Sequence, residues 1–312
     1  MLVNRVKRIL LPLIASVLLV YPMAVFAYTY SKAAFAGVGF PFGIAWNEFT
    51  TGKFLPYELL HLWFLYFLIF YAFGGWIIAM IFSKDTPFTT SANEVFAYIL
   101  QNFWLRIAGL AFLFFLCQFW IGEPSLTTNN KWSIDPPIYM TYFLFFITGW
   151  VMYKTNSLDT LKAYPIGQLS AAIILFFAFI LTPWPDSKAG LYAREFLSAL
   201  FGTLFIFGFI ALFMTYYNTY SRRLSYMMDA AYWVYIIHLP IVAFIPGLMA
   251  GLALPVIIKF LITFSLTVAM CFVSYHFMVR SHFIGLFLNG KVYKKKKQHN
   301  ETTMSQVALD PQ

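Results

Sequence analysis

The sequence predicts an all-α fold, a polytopic transmembrane bundle of about eight helices. Three observations carry that prediction. The 312 residues are 61% hydrophobic and 11% charged, whereas soluble domains average about 45–50% apolar and about 25% charged. Apolar runs recur from end to end with no long polar stretch between them, so lipid must solvate most of the surface. The runs are also continuously apolar, without the alternation of a transmembrane barrel strand, which leaves helices as the structure that satisfies its own backbone in lipid.

A helix needs about 20 mainly apolar residues to cross about 30 Å of hydrocarbon. The segments that meet this are 9–30, 59–82, 96–120, 136–153, 164–182, 194–217, 227–250 and 253–277. The first follows Arg5, Lys7 and Arg8 and continues to about Tyr30 without a small-residue cleavage site, so it reads as an uncleaved helix rather than a signal peptide. The second begins near His61, after a Gly- and aromatic-rich stretch, 31–58, that reads as the longest outer loop. The third carries Arg106 and Cys117, and the fourth is short and opens on Asp135, Pro136 and Pro137. The fifth and sixth carry none of the candidate site residues. The seventh holds Tyr235, His238 and Pro240, and the eighth holds Cys271. Tyr28, Tyr30, Trp120, Trp150 and Trp184 mark run ends, as in an aromatic belt. Residues 1–290 thus read as a single membrane domain, followed by a basic and then polar tail, 291–312, expected to be disordered and cytoplasmic.

Orientation follows from the basic residues. With the N-terminus in the cytoplasm, 14 of the 21 Lys and Arg fall on the inner side, among them Lys84, Lys154, Arg222, Arg280 and Lys291. Five fall outside, Lys32, Lys53, Lys131, Lys188 and Arg194, while Arg106 and Lys259 lie within helices. This bias predicts both termini in the cytoplasm and an even helix count. It also accounts for the net charge of +9. The basic residues sit at run ends and in the tail and form no soluble basic surface, so the expected partner is the bilayer, with no nucleic acid. The two cysteines lie deep in apolar runs, which argues against a disulfide framework. There is no CxxC, no HExxH and no His pair at helical spacing, so no metal site is expected.

Ionisable residues inside a membrane cost about 2.5–3.5 kcal/mol each at a helix centre on insertion scales, which makes them the first candidates for a site. Arg106, about ten residues into its run, is placed near mid-bilayer, either snorkelling or salt-bridged, or facing a polar cavity. His238 is also placed at mid-depth. Tyr235 shares its face, and Pro240 releases a carbonyl one turn back. Such a ring could be a base or a structural histidine bonded to a neighbour. His61 starts the second helix with Glu58 three residues before it, a spacing that would let a carboxylate orient an imidazole, unless His61 is simply wetted from outside. Arg5 and Arg8 suit phosphate oxygens or plain topology determination. His276 and His282 read as interfacial, and Trp46, Trp132 and Trp184 as belt residues or sugar-stacking platforms.

Three strings carry a family resemblance. The stretch from Tyr232 to Ile241 keeps Tyr232, Tyr235, His238 and Pro240 of a Ser-Tyr-x-x-Tyr-Leu-x-His-x-Pro pattern, with Ala231 in the Ser position. His61 to Leu65 reads His-Leu-Trp-Phe-Leu, and Arg5 to Pro12 reads as R-x-x-R followed by Pro. Together, in the chain order Arg5, His61, Tyr232, they resemble the acyltransferase 3 family, membrane-bound O-acyltransferases of about ten helices, and within it the glucans biosynthesis protein C type of inner-membrane succinyltransferases. The resemblance implies acyl-CoA as co-substrate with no bound cofactor, a carbohydrate acceptor, Arg5 and Arg8 as acyl-CoA ligands, and His61 and His238 as site residues and candidate bases. Tyr235, Glu58 and Arg106 would line the site. The family's first two helices, with an Arg followed by a catalytic His, have no counterpart upstream of Arg5. The expectation is a late start codon, a truncated inactive chain, or His61 or His238 as replacement base. The rival readings are a transporter or flippase for a lipid-linked or soluble sugar, and a purely structural paralogue.

Overall fold

The computed structural model describes residues 2–52, 54–82, 86–124, 126–155 and 157–290. Lys53, Lys84 and the tail 291–312 lie outside the described residues, as does the side chain of Arg5. Among the described residues the chain is helical with no strand. Among the described residues, six helical runs are long and apolar enough to cross a membrane, Val6–Phe35, Leu60–Ile81, Phe103–Ile121, Lys188–Tyr216, Arg222–Leu248 and Val256–Val279, and a shorter apolar helix covers Pro165–Leu181.

The chain divides into two compact units. The first takes Met1–Phe26 and Trp46–Ser225. It opens with α1 (Leu2–Ala15), a π turn (Ser16–Val20) and the start of α2 (Tyr21–Phe35). Pro12 cannot donate to the Arg8 carbonyl, and the π turn follows one turn later, as an interrupted hydrogen-bond ladder favours. Next come α3 (Pro41–Thr50), which divides between the units, α4 (Trp63–Ile81) and α5 (Pro87–Gln101). They are followed by α6 (Phe103–Ile121), α7 (Pro136–Lys154), α8 (Pro165–Leu181) and α9 (Lys188–Tyr216).

Three boundaries correct the sequence reading. A helix, α3, occupies part of the expected outer loop. The expected third span, 96–120, is two helices, because the backbone turns extended at Asn102 (φ −82°, ψ 118°). The Asn102 side chain then caps α6, accepting from the amides of Trp104 at 3.1 Å and Leu105 at 3.2 Å. Finally, α9 starts at Lys188 behind a Ser187 cap, so Lys188 and Arg194, expected in an outer loop, are helical. At about 1.5 Å per residue its 29 residues reach about 43 Å, longer than the hydrocarbon, which lets a charged first turn stand outside it.

Packing in this unit uses rings against glycine. Between α4 and α7, Phe67, Tyr71, Tyr139, Phe143 and Phe146 form a cluster in which Tyr71 donates to the Tyr139 carbonyl at 3.1 Å. A Cβ on Gly75 would sit 2.8 Å from the Phe146 ring. Gly208 on α9 meets Leu169 of α8 the same way, at 2.9 Å. Lipid offers no hydrophobic drive between helices, so close backbone approach through small residues supplies the dispersion that holds them.

The second unit takes Ala27–Ala45 and Tyr226–Gln312. It contains most of α10 (Arg222–Leu248), α11 (Val256–Ser274) with a π turn (Tyr275–Val279), and α12 (Phe283–Asn289). Ala230, Tyr275 and Val279 form its core, and Trp233 donates to the Ser274 hydroxyl at 3.0 Å. At the other end of α10, Ser31 donates to the Ala243 carbonyl, and Gly247 abuts α2. A Cβ there would lie 2.8 Å from the Ser31 Cα. Since that neighbour is backbone, Gly247→Val should lower stability by about 1–3 kcal/mol, read as an earlier thermal transition in detergent. Gly251, with nothing within 4 Å of an added Cβ, should accept Ala without a shift. Equal transitions for both variants would show that the crossing is not tight.

Candidate functional site

Helix α10 carries Tyr235 and His238 through the second unit. The helix continues unbroken past Pro240 and Pro246, so the expected local break beside His238 is absent. What replaces it is a specific tether, His238 Nδ1 lying 2.8 Å from the Tyr235 carbonyl. A carbonyl only accepts, so Nδ1 carries the proton and a neutral ring has its lone pair on Nε2. The Tyr235 ring lies alongside, its centroid 6.3 Å from that of the imidazole. His238 is half-buried and Pro240 buried.

In the first unit, His61 sits in a 3₁₀ turn, Leu60–Leu62, that leads into α4. The turn is anchored by buried Leu59 and Leu62. The loop ahead of α7 clasps it, since Leu59 N–H donates to the Asn130 carbonyl and Trp132 Nε1 donates to the Pro56 carbonyl at 2.6 Å. The Tyr21 phenol of α2 meets the backbone of Tyr57 and Glu58 from the other side. Leu60 adopts φ 47°, a left-handed conformation that a branched side chain enters at a cost of about 1–3 kcal/mol, and such conformations cluster at functional positions. Glu58 is exposed on the irregular stretch before the turn, so the helical i, i+3 spacing used to pair it with His61 does not apply.

Arg8 lies exposed on α1, which packs against α4, and the α1 backbone carries Arg5 one turn earlier. Arg106 differs most from expectation. It is the fourth residue of α6, one turn from the helix start rather than at its middle. It is fully buried, so it does not snorkel, and among the described residues no acidic side chain pairs with it. Its Nη1 donates to the Leu100 carbonyl at 2.6 Å.

The structure therefore brings together Tyr235 with His238, and Tyr21 with the turn that carries His61. It also reveals a polar layer that sequence reasoning passed over. Glu195 and Ser198 share a face of α9, both buried, and Gln118 of α6 donates to the Ser198 hydroxyl at 3.2 Å. The usable signal was Glu195 itself, a carboxylate placed as the second residue of an expected apolar span, 194–217. Cys117 and Thr141 meet beside Gln118. Among the described residues no group of His, Cys, Asp and Glu could hold a metal.

Residues 1–276 match the family model described as an acyltransferase domain, that of acyltransferase 3. Similar curated proteins include the glucans biosynthesis protein C of Escherichia coli O17:K52:H18 (strain UMN026 / ExPEC), 23% identical over 94% of this chain and 76% of the relative. That of Escherichia coli (strain K12 / DH10B) is 22% identical over the same shares. No solved structure matches.

The tether at His238 sets its tautomer. In ¹⁵N spectra of protein labelled at histidine, the neutral His238 ring should show a protonated Nδ1 and a bare Nε2. The reverse tautomer would remove Nε2 as a base.

Proposed function

This chain belongs to the acyltransferase 3 family, and from that premise we propose that it moves an acyl group, acetyl or succinyl, from cytoplasmic acyl-CoA to a hydroxyl of an envelope or periplasmic carbohydrate. The protein would lie in the inner membrane with eight crossings and both termini in the cytoplasm. The observation that supports the reading is the tether of His238, in which Nδ1 is engaged by the Tyr235 carbonyl, so that a neutral ring keeps its lone pair on Nε2. In the reaction Nε2 takes the proton of the attacking hydroxyl, the oxygen bonds to the thioester carbonyl, and the carbon–sulfur bond breaks. The imidazolium proton then goes to the departing thiolate. His61, on its strained turn, is the second candidate base. Arg5 and Arg8 would hold donor phosphates, as forked guanidinium groups do well. Tyr235 beside His238, and Glu58 and Arg106 within the first unit, are the further residues proposed for the reaction.

Replacing His238 with Gln should cut the transfer rate by about 10²–10⁴-fold, while acyl-CoA binding stays near the wild-type level. Arg8→Ala should do the opposite, raising the dissociation constant for acyl-CoA with little change in kcat. Radiolabelled acyl transfer and equilibrium binding on the same preparations separate the two. Full activity in the His238 variant, or unchanged donor affinity without Arg8, would remove the corresponding assignment.

A further inference from the structure

Arg106 has a feature that acyl transfer does not require. Its guanidinium is permanently charged and fully buried. One nitrogen, Nη1, is used by the Leu100 carbonyl. The other two, Nε and Nη2, have no hydrogen-bond partner among the described residues. These two share one edge of the plane. They form the side-on fork that meets two oxygens of a carboxylate or phosphate with parallel N–H donors. Aromatic rings lie near the group, with the guanidinium carbon 5.8 Å from the centre of the Phe103 ring and 5.3 Å from that of Phe207. They attract the cation but accept no in-plane hydrogen bond, so the fork still requires an oxygen partner.

We propose that Arg106 is the recognition point of an oxyanion site, in which a carboxylate or phosphate group seats on the Nε and Nη2 fork between α5, α6 and α9. A buried cation left uncompensated is strongly unfavourable, and an anion that supplies both charge and acceptors removes both penalties together. Gln168 of α8 supplies the plain rival. It is buried, its Nε2 donates to the Ala163 carbonyl, and its Oε1 lacks a partner. It packs against Gly208, the residue after Phe207 on α9. A water shared between Gln168 Oε1 and the fork would satisfy both groups without neutralising the charge. Carboxylate and phosphate are the shared chemistry of two sources, a small dicarboxylate-type group and a phosphate-bearing one. The binding claim itself does not rest on the acyl-transfer reading.

The test is thermal unfolding of the full chain in detergent, without coenzyme A, at constant ionic strength. Succinate and inorganic phosphate are titrated separately, with chloride as the reference salt. The site predicts a saturable upward shift of the transition with at least one of the two. A response to succinate alone marks a carboxylate source, and to phosphate alone a phosphate source. In Arg106→Gln the shift should vanish. Arg106→Lys keeps the charge without the fork and should weaken the apparent affinity at least ten-fold. It also serves as the comparison if the Gln variant does not accumulate. No saturable shift in the wild type, or the same shift in an Arg106 variant, would overturn the site and favour the shared water. Because no turnover is read, either result leaves the acyl-transfer reading untouched.

Discussion

Every backbone polar group that enters hydrocarbon must be satisfied within the protein, and that constraint shapes the molecule. With no water to accept N–H or donate to C=O, each crossing segment closes its own hydrogen bonds as a helix. The exceptions have visible substitutes. Where the ladder stops at Asn102, its side-chain amide oxygen accepts from two backbone amides of the next turn, those of Trp104 and Leu105. At the far end of α6, Gly122 takes the left-handed conformation that ends a helix (φ 79°). Pro12 is followed by a π turn. Pro240 and Pro246 are absorbed without a break.

Once helices are obligatory, their contacts depend on shape. The α4–α7 ring cluster against Gly74 and Gly75, and the approach of α2 to α10 at Gly247, both place a missing side chain where a neighbour needs the room. Polar groups inside such a bundle are costly, so each invites a reason. His238 is tied to its own helix, Gln118 to Ser198, and Arg106 to the end of α5. Arg106 and His238 together had supported a polar pathway at mid-membrane depth, as a transporter would use. Arg106 instead stands one turn from the start of α6 and not at its middle.

The helical class was legible because continuous apolar runs in lipid have few structural solutions. The positions of Tyr235 and His238 on one helix were legible because their spacing is helical whatever the depth. Depth itself was not legible. The mainly apolar end of α5 is parted from α6 only by Gln101 and Asn102, too short a polar break to split the hydropathy run, and the restart at Asn102 puts Arg106 one turn from the start of a helix instead of at its middle. The start of α9 was misplaced for a related reason, since its first turns carry charges that read as loop although the helix outlasts the hydrocarbon. The i, i+3 pairing of Glu58 with His61 assumed a helix that Leu60, at φ 47°, prevents. The fork of Arg106 was invisible, because it depends on what three helices leave around one side chain.

The most direct test of transfer across the bilayer uses full-length protein in sealed vesicles. Labelled acyl-CoA is supplied on one side and a carbohydrate acceptor on the other, and covalent label on the acceptor is measured. Transfer across the bilayer predicts acylated carbohydrate on the side opposite the donor, formed far more slowly when His238 is replaced. Carbohydrate that accumulates across the membrane without covalent label would contradict it and assign the protein to transport.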